Sequence, residues 1–93
     1  MFRSPLNEGR YMPKNIPSLK PRELIRILEN GECAFLREGK GDHRLYIRVH
    51  QNRKRIVPID MGAKELTPPY VLRIFRQFGF TDSEIDALLQ KSP

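Results

Sequence analysis

These 93 residues predict an α+β domain in which a helix, three antiparallel strands and a second helix follow one another, with a short helix after them. Three observations lead there. Apolar residues recur at helical spacing in two stretches: Leu24, Ile27 and Leu28 with Ile25 beside them, then Val71, Ile74, Phe75 and Phe78. Between these stretches lie three strand-like runs, about 33–37, 42–50 and 54–60, separated by short polar turns. Each helical stretch also opens on a proline, Pro21 or Pro68, a residue with no amide hydrogen to lose in a first turn.

In chain order, residues 1–17 carry Pro5, Pro13 and Pro17 with no helical or strand periodicity, and read as an extended basic arm ahead of a single domain, 18–93. The first helix, 21–30, has Glu23 at its positive end and Asn30-Gly31 as its stop. Gly39 and Gly41 mark the first hairpin turn and Gln51-Asn52-Arg53 the second, which makes the sheet a three-stranded meander. After an irregular link, 61–66, Thr67 is placed to cap the second helix, and Gly79-Phe80 reads as a left-handed stop with an apolar clasp. Phe75 and Phe78 read as core rather than as a base-stacking platform, with Arg73 and Arg76 on the outer face. Thr81-Asp82-Ser83-Glu84 has the form of a capping box opening the terminal helix 82–91, which holds Ile85, Leu88 and Leu89.

The middle strand alternates, with His43, Leu45, Ile47 and Val49 on one face and Arg44, Tyr46, Arg48 and His50 on the other. Hydrophobicity assigns the first set to the helices, which would leave His43 at the rim between core and solvent. Alternation alone leaves two readings of that residue open: a rim histidine satisfied by a backbone carbonyl, or a reactive group. His50 lies seven residues on and on the opposite face, roughly 23 Å away along an extended strand, so the two histidines cannot act as a pair.

A net charge of +6 points to an acidic partner, and residues 37–55 alone hold seven basic side chains against Glu38 and Asp42. Arg37, Lys40, Arg44, Arg48 and Lys54 are the candidate phosphate contacts around His43. A chain of this length makes one modest core and cannot also enclose a large cofactor, so none is expected. The single Cys33 cannot form an internal disulfide and reads as a small buried hydrophobe. The absence of an 18-residue apolar run or an apolar signal core leaves the cytoplasm as the expected location, with no membrane partner. No His, Cys, Asp or Glu cluster has metal-ligand spacing.

The α-β-β-β-α order is the plan of double-stranded-RNA-binding domains, which read shape, phosphates and 2′-hydroxyls. Particular residues narrow it further: Leu24 to Gly31, Arg37 through Gly41-Asp42-His43, Ile56-Val57-Pro58, Lys64-Glu65-Leu66 and the helix ending Phe78-Gly79-Phe80. Taken in order, over about 18–80, this set resembles the HicA (YcfA-like) mRNA interferase toxins. The resemblance implies a toxin that cleaves mRNA or other RNA, a HicB-type antitoxin as partner, and a catalytic histidine at His43. Gly41 would be the turn glycine, and Asp42 stands where the family usually has serine. Many relatives carry a further histidine just after the Val-Pro of the third strand, where this chain has Ile59-Asp60.

Metal-free RNA cleavage needs one group to take the 2′-hydroxyl proton, one to protonate the leaving 5′-oxygen, and positive charge on the phosphorane-like transition state. An imidazole can do either proton task near neutrality. Tyr46, a lysine or water is left to do the other. Two further readings use the same basic surface without chemistry: a non-catalytic RNA-binding module, or a basic protein-interaction domain.

Overall fold

The computed structural model describes residues 15–91. The elements run α1 (Pro21–Asn30), β1 (Ala34–Glu38), β2 (His43–His50), β3 (Arg53–Asp60), α2 (Pro68–Gln77) and α3 (Asp82–Lys91), the α-β-β-β-α order expected with a helix appended. The strands form one antiparallel sheet in the order β1-β2-β3. Of the expected arm, residues 1–14 lie outside the described part, while Ile16 already packs against the core and Leu19 pairs with Leu66 through backbone bonds of 3.0 and 2.7 Å.

Local chemistry accounts for most element ends. In α1, Glu23 turns back to accept the Lys20 amide at 2.8 Å. Gly31 ends that helix without a left-handed backbone, at φ −92°, and Glu32 takes the positive φ of 70° instead. Gly31 is required for space, because a Cβ there would stand 2.8 Å from the Phe80 ring. Gln51 and Asn52, at φ 52° and 64°, make the paired left-handed turn that suits the twist of a β2–β3 hairpin. Thr67 occupies the N-cap position of α2, but its hydroxyl makes no capping bond; only its carbonyl serves, accepting the Val71 amide at 2.9 Å. The capping box of α3 forms both ways, Thr81 N–H to Glu84 Oε1 at 2.8 Å and Glu84 N–H to Thr81 Oγ1 at 3.1 Å. The first of these bonds is the main reason the Glu84 carboxyl is held below its ordinary value.

The core joins Leu24, Ile27 and Leu28 of α1 to Val71, Ile74 and Phe75 of α2, with Phe78, Phe80, and Ile85 and Leu88 of α3. The sheet contributes Tyr46, Val57 and Ile59. Tyr46 and Arg48 are buried, whereas Leu45 and Ile47 are only half-buried and Val49 is 59% exposed. The face of β2 carrying Leu45, Ile47 and Val49 is therefore the open one, opposite to what hydrophobicity alone assigns.

Arg48 explains the reversal. Its aliphatic stem fills core space, its guanidinium donates to the Phe78 carbonyl at 2.9 Å, and its Cζ lies 3.9 Å from the centroid of the Phe80 ring. Its cross-strand neighbour Arg55 packs against Gly79, where a Cβ would come 2.6 Å from the Arg55 Nε. Two cations thus meet the negative end of α2, where Gly79 turns left-handed at φ +82°.

Register places Arg37. Ala34 and Phe35 face Ile47 and Tyr46, but a bulge follows, after which Arg37 faces Leu45 and Glu38 faces Arg44. Arg37 consequently shares the open face with His43, and Glu38 pairs with Arg44 at 3.5 Å.

Truncating Arg48→Ala should lower unfolding stability by roughly 2 to 4 kcal/mol, read from urea melts, because it strands a buried carbonyl and opens a void. Burial pushes the Cys33 thiol up to about 12, against a smaller opposing pull from Arg48. Maleimide at pH 8 should therefore label the folded protein slowly and the urea-unfolded chain rapidly.

Candidate active site

The β1–β2 turn fixes the geometry of His43. Gly41 adopts φ +59°, a conformation that side chains resist, and this lets the chain double back so that Gly39 N–H reaches the His43 carbonyl at 2.8 Å. Returning, the His43 amide donates to the Lys40 carbonyl at 3.1 Å, and the ring Nδ1 stands 3.2 Å from the same oxygen. A carbonyl can only accept, so this contact requires the proton on Nδ1 and leaves Nε2 as the free nitrogen of an exposed imidazole. The histidine is thus both bonded to a backbone carbonyl and presented to solvent, and the two readings left open by alternation coexist.

On the far side of the turn, Met61 N–H donates to the Asp42 carbonyl at 2.8 Å. The Asp42 carboxylate lies against Gly62, so closely that a Cβ at Gly62 would overlap its Oδ2. Asp42 therefore joins the turn to the link after β3. Gly62 N–H donates to Asp60 Oδ1 at 2.9 Å, and Asp60 is the direct cross-strand partner of His43.

The expected phosphate contacts do not form one cluster. Arg37 and Lys40 lie on the His43 side of the sheet end and the turn. Lys54 pairs with Val49, six residues from His43 along β2, or roughly 20 Å. Arg48 is buried against Phe78 and Phe80 and cannot reach a nucleic acid, which corrects the expectation for that residue. Tyr46 is corrected too: it is 3% exposed and on the helix-covered face, so its hydroxyl is no proton donor beside His43. His50 is exposed at the far end of β2, away from His43 as expected.

Arg44 faces a cleft of about 340 Å³ that sequence patterning does not reveal, lined by Lys20, Arg22, Glu23, Met61 and Lys64 among others. Four cations converge there from the start of α1, β2 and the link. They are scattered along the chain, and only the Leu19–Leu66 pairing brings Lys20 near Lys64.

The open sheet face beside His43 is apolar through its middle, with Leu45, Ile47, Pro58 and the well-exposed Val49 and Ile56. Among the described residues no group of three or more His, Cys, Asp or Glu side chains is placed to hold a metal ion, and no helix is long and apolar enough to cross a membrane.

No curated protein and no solved structure matches this chain. The profile of the family described as HicA toxin of bacterial toxin-antitoxin matches residues 21–80, from the first residue of α1 to the clasp after α2. That span contains the whole sheet, the glycine turn and His43, and the chain belongs to the HicA toxin family of bacterial toxin-antitoxin systems.

Proposed function

We propose that this toxin is a cytoplasmic endoribonuclease that cleaves mRNA or other RNA without a metal, using His43 for proton transfer, and that a HicB-type antitoxin silences it by covering the open sheet face. The observation that carries the reading is the anchoring of His43. Its Nδ1 is committed to the Lys40 carbonyl at 3.2 Å, which leaves Nε2 oriented and accessible at the end of a sheet. A domain that only bound RNA would gain nothing from such a constraint.

Positive charge is arranged to hold a strand across this point. Arg37 and Lys40 attend the histidine, while Lys20, Arg22, Arg44 and Lys64 line the neighbouring cleft and take the adjoining phosphates. Arg44 is partly neutralised by Glu38, so the cleft draws most of its charge from the other three. Lys54, at the far end, meets a longer RNA or the antitoxin.

The apolar strip formed by Leu45, Ile47, Val49, Ile56 and Pro58 supports the partner assignment, because exposed apolar patches rimmed by charge mark protein contact surfaces. An acidic protein seated on it complements Arg37 and Lys54 and buries His43.

His43→Ala should reduce RNA cleavage by at least about 100-fold while leaving the thermal melt unchanged, since the ring is exposed. Unchanged cleavage would sink the assignment. RNA that binds but stays intact with the wild-type protein would instead favour the non-catalytic RNA-binding module, and no binding at physiological salt would favour a protein-interaction domain. Replacing Lys20, Arg22 and Lys64 together by Ala should weaken RNA binding and make the slope of log affinity against log salt shallower by about 2, as three lost phosphate contacts require.

A further inference from the structure

The reading above leaves one proton unassigned, and the pairing of β2 with β3 supplies a group for it. His43 and Asp60 are register partners. The amide and carbonyl of His43 both turn toward the β1 side, to Lys40 and Gly39, while the bonded pair joining β2 to the chain after β3 is Asp42 with Met61. His43 and Asp60 therefore form the non-hydrogen-bonded type of antiparallel pair, in which the side chains stand closest, with Cβ atoms roughly 4.5 to 5.5 Å apart on one face.

Asp60 is itself held in place. Its Oδ1 accepts the Gly62 amide at 2.9 Å, and its backbone N–H donates to the Tyr70 hydroxyl of α2 at 3.3 Å. Oδ2 has no partner among the described residues. A positioned carboxylate and a positioned imidazole thus share one face at the same end of the sheet.

We infer that Asp60 is the second catalytic residue of this toxin, the base that takes the 2′-hydroxyl proton, with His43 as the acid that protonates the leaving oxygen. The inference rests on the endoribonuclease reading. Carboxylates lose their protons at lower pH than imidazoles, so between those two ranges a carboxylate accepts while an imidazolium donates. Asp60 Oδ2 removes the 2′-hydroxyl proton as the 2′-oxygen attacks phosphorus. The new P–O2′ bond forms while the P–O5′ bond breaks, and the 5′-oxygen takes the proton from His43 Nε2. The products are a 2′,3′-cyclic phosphate and a 5′-hydroxyl end. Asp60 then returns its proton to solvent and His43 regains one, so no oxidant or other co-reactant is consumed.

The other charged and titratable groups at this end are Lys40 and Asp42 in the turn, Arg37 on β1, Lys64 in the link and Tyr70 on α2, with Arg44 and Glu38 paired on the opposite face. The cations bind phosphate in this scheme. Asp42 is the remaining carboxylate, but it leans on Gly62 and belongs to the position before His43, on the other side of the strand alternation.

The test is single-turnover cleavage of a labelled RNA oligonucleotide from pH 3 to 9 by the full chain and by Asp60→Asn, Asp60→His and His43→Ala, with thermal melts of each across the same range. Asp60→Asn keeps the oxygen that accepts the Gly62 amide, so it should fold, cleave about 100-fold or more slower, and lose the acidic limb of the wild-type bell-shaped profile. Asp60→His should cleave faster than Asp60→Asn, with the acidic limb moved toward neutrality. Asp60→Asn within about threefold of wild type, a slow Asp60→Asn that keeps the acidic limb, or an Asp60→His no faster than Asp60→Asn would each overturn the role of Asp60 while the His43 reading stands, provided His43→Ala is inactive. An active His43→Ala, or a wild-type protein that leaves the RNA intact, would overturn both.

Discussion

The guanidinium of Arg48, clamped between the Phe78 carbonyl and the Phe80 ring, is the contact on which the arrangement of this molecule depends. A strand has only two faces, so committing one side chain of β2 to the helices commits every alternate residue with it. Tyr46 follows Arg48 into the core and Leu45, Ile47, Val49 and His43 are turned outward. The same contact engages the C-terminal end of α2 and, through Phe80, the ring that closes over Gly31 at the end of α1. A buried cation with no carboxylate within salt-bridge distance among the described residues, only the more remote charge of Glu84, would be costly in a purely apolar setting. Here the carbonyl, the aromatic face and the negative helix end offset that cost.

This choice of face gives the sheet an unusual distribution of polarity. Its covered side holds a tyrosine and two arginines with Val57 and Ile59, and its open side holds the better hydrophobes of β2. Such an inversion is expensive for an isolated monomer, and it becomes intelligible when the open side is a contact surface. The candidate proton-transfer groups sit at one end of that surface, so the proposed partner and substrate contacts fall on the same strands.

Element order, both core helices, the two hairpins and the capping box of α3 were legible in the residues because each depends on short-range spacing or on local turn chemistry. The placement of His43 at the start of β2, two residues after a glycine that the turn needs, was legible for the same reason. The face of β2 was not, because alternation fixes which residues go together but only tertiary contacts decide which set is covered. A long amphipathic arginine can outcompete leucine for a core position when a carbonyl and a ring await it. Arg48 and Tyr46 were misplaced by that one step. The cleft of Lys20, Arg22, Arg44 and Lys64 was hidden because its members are distant in sequence. Asp60 was visible as a departure from the family pattern, yet its position opposite His43 required the register.

The bulge in β1 has a consequence for charge that reaches beyond local geometry. Were Leu36 paired in the register that Ala34 and Phe35 set, Arg37 would stand opposite Arg44 and Glu38 opposite His43, so two cations would repel on the covered side and a carboxylate would crowd the imidazole. One additional residue at Leu36 sorts the charges, sending the glutamate to neutralise Arg44 and releasing an arginine to the side where phosphate is expected. Register, rather than composition, therefore sets the electrostatic character of this edge. Drawing Leu36 back into the ladder would reverse it without altering a single charged side chain.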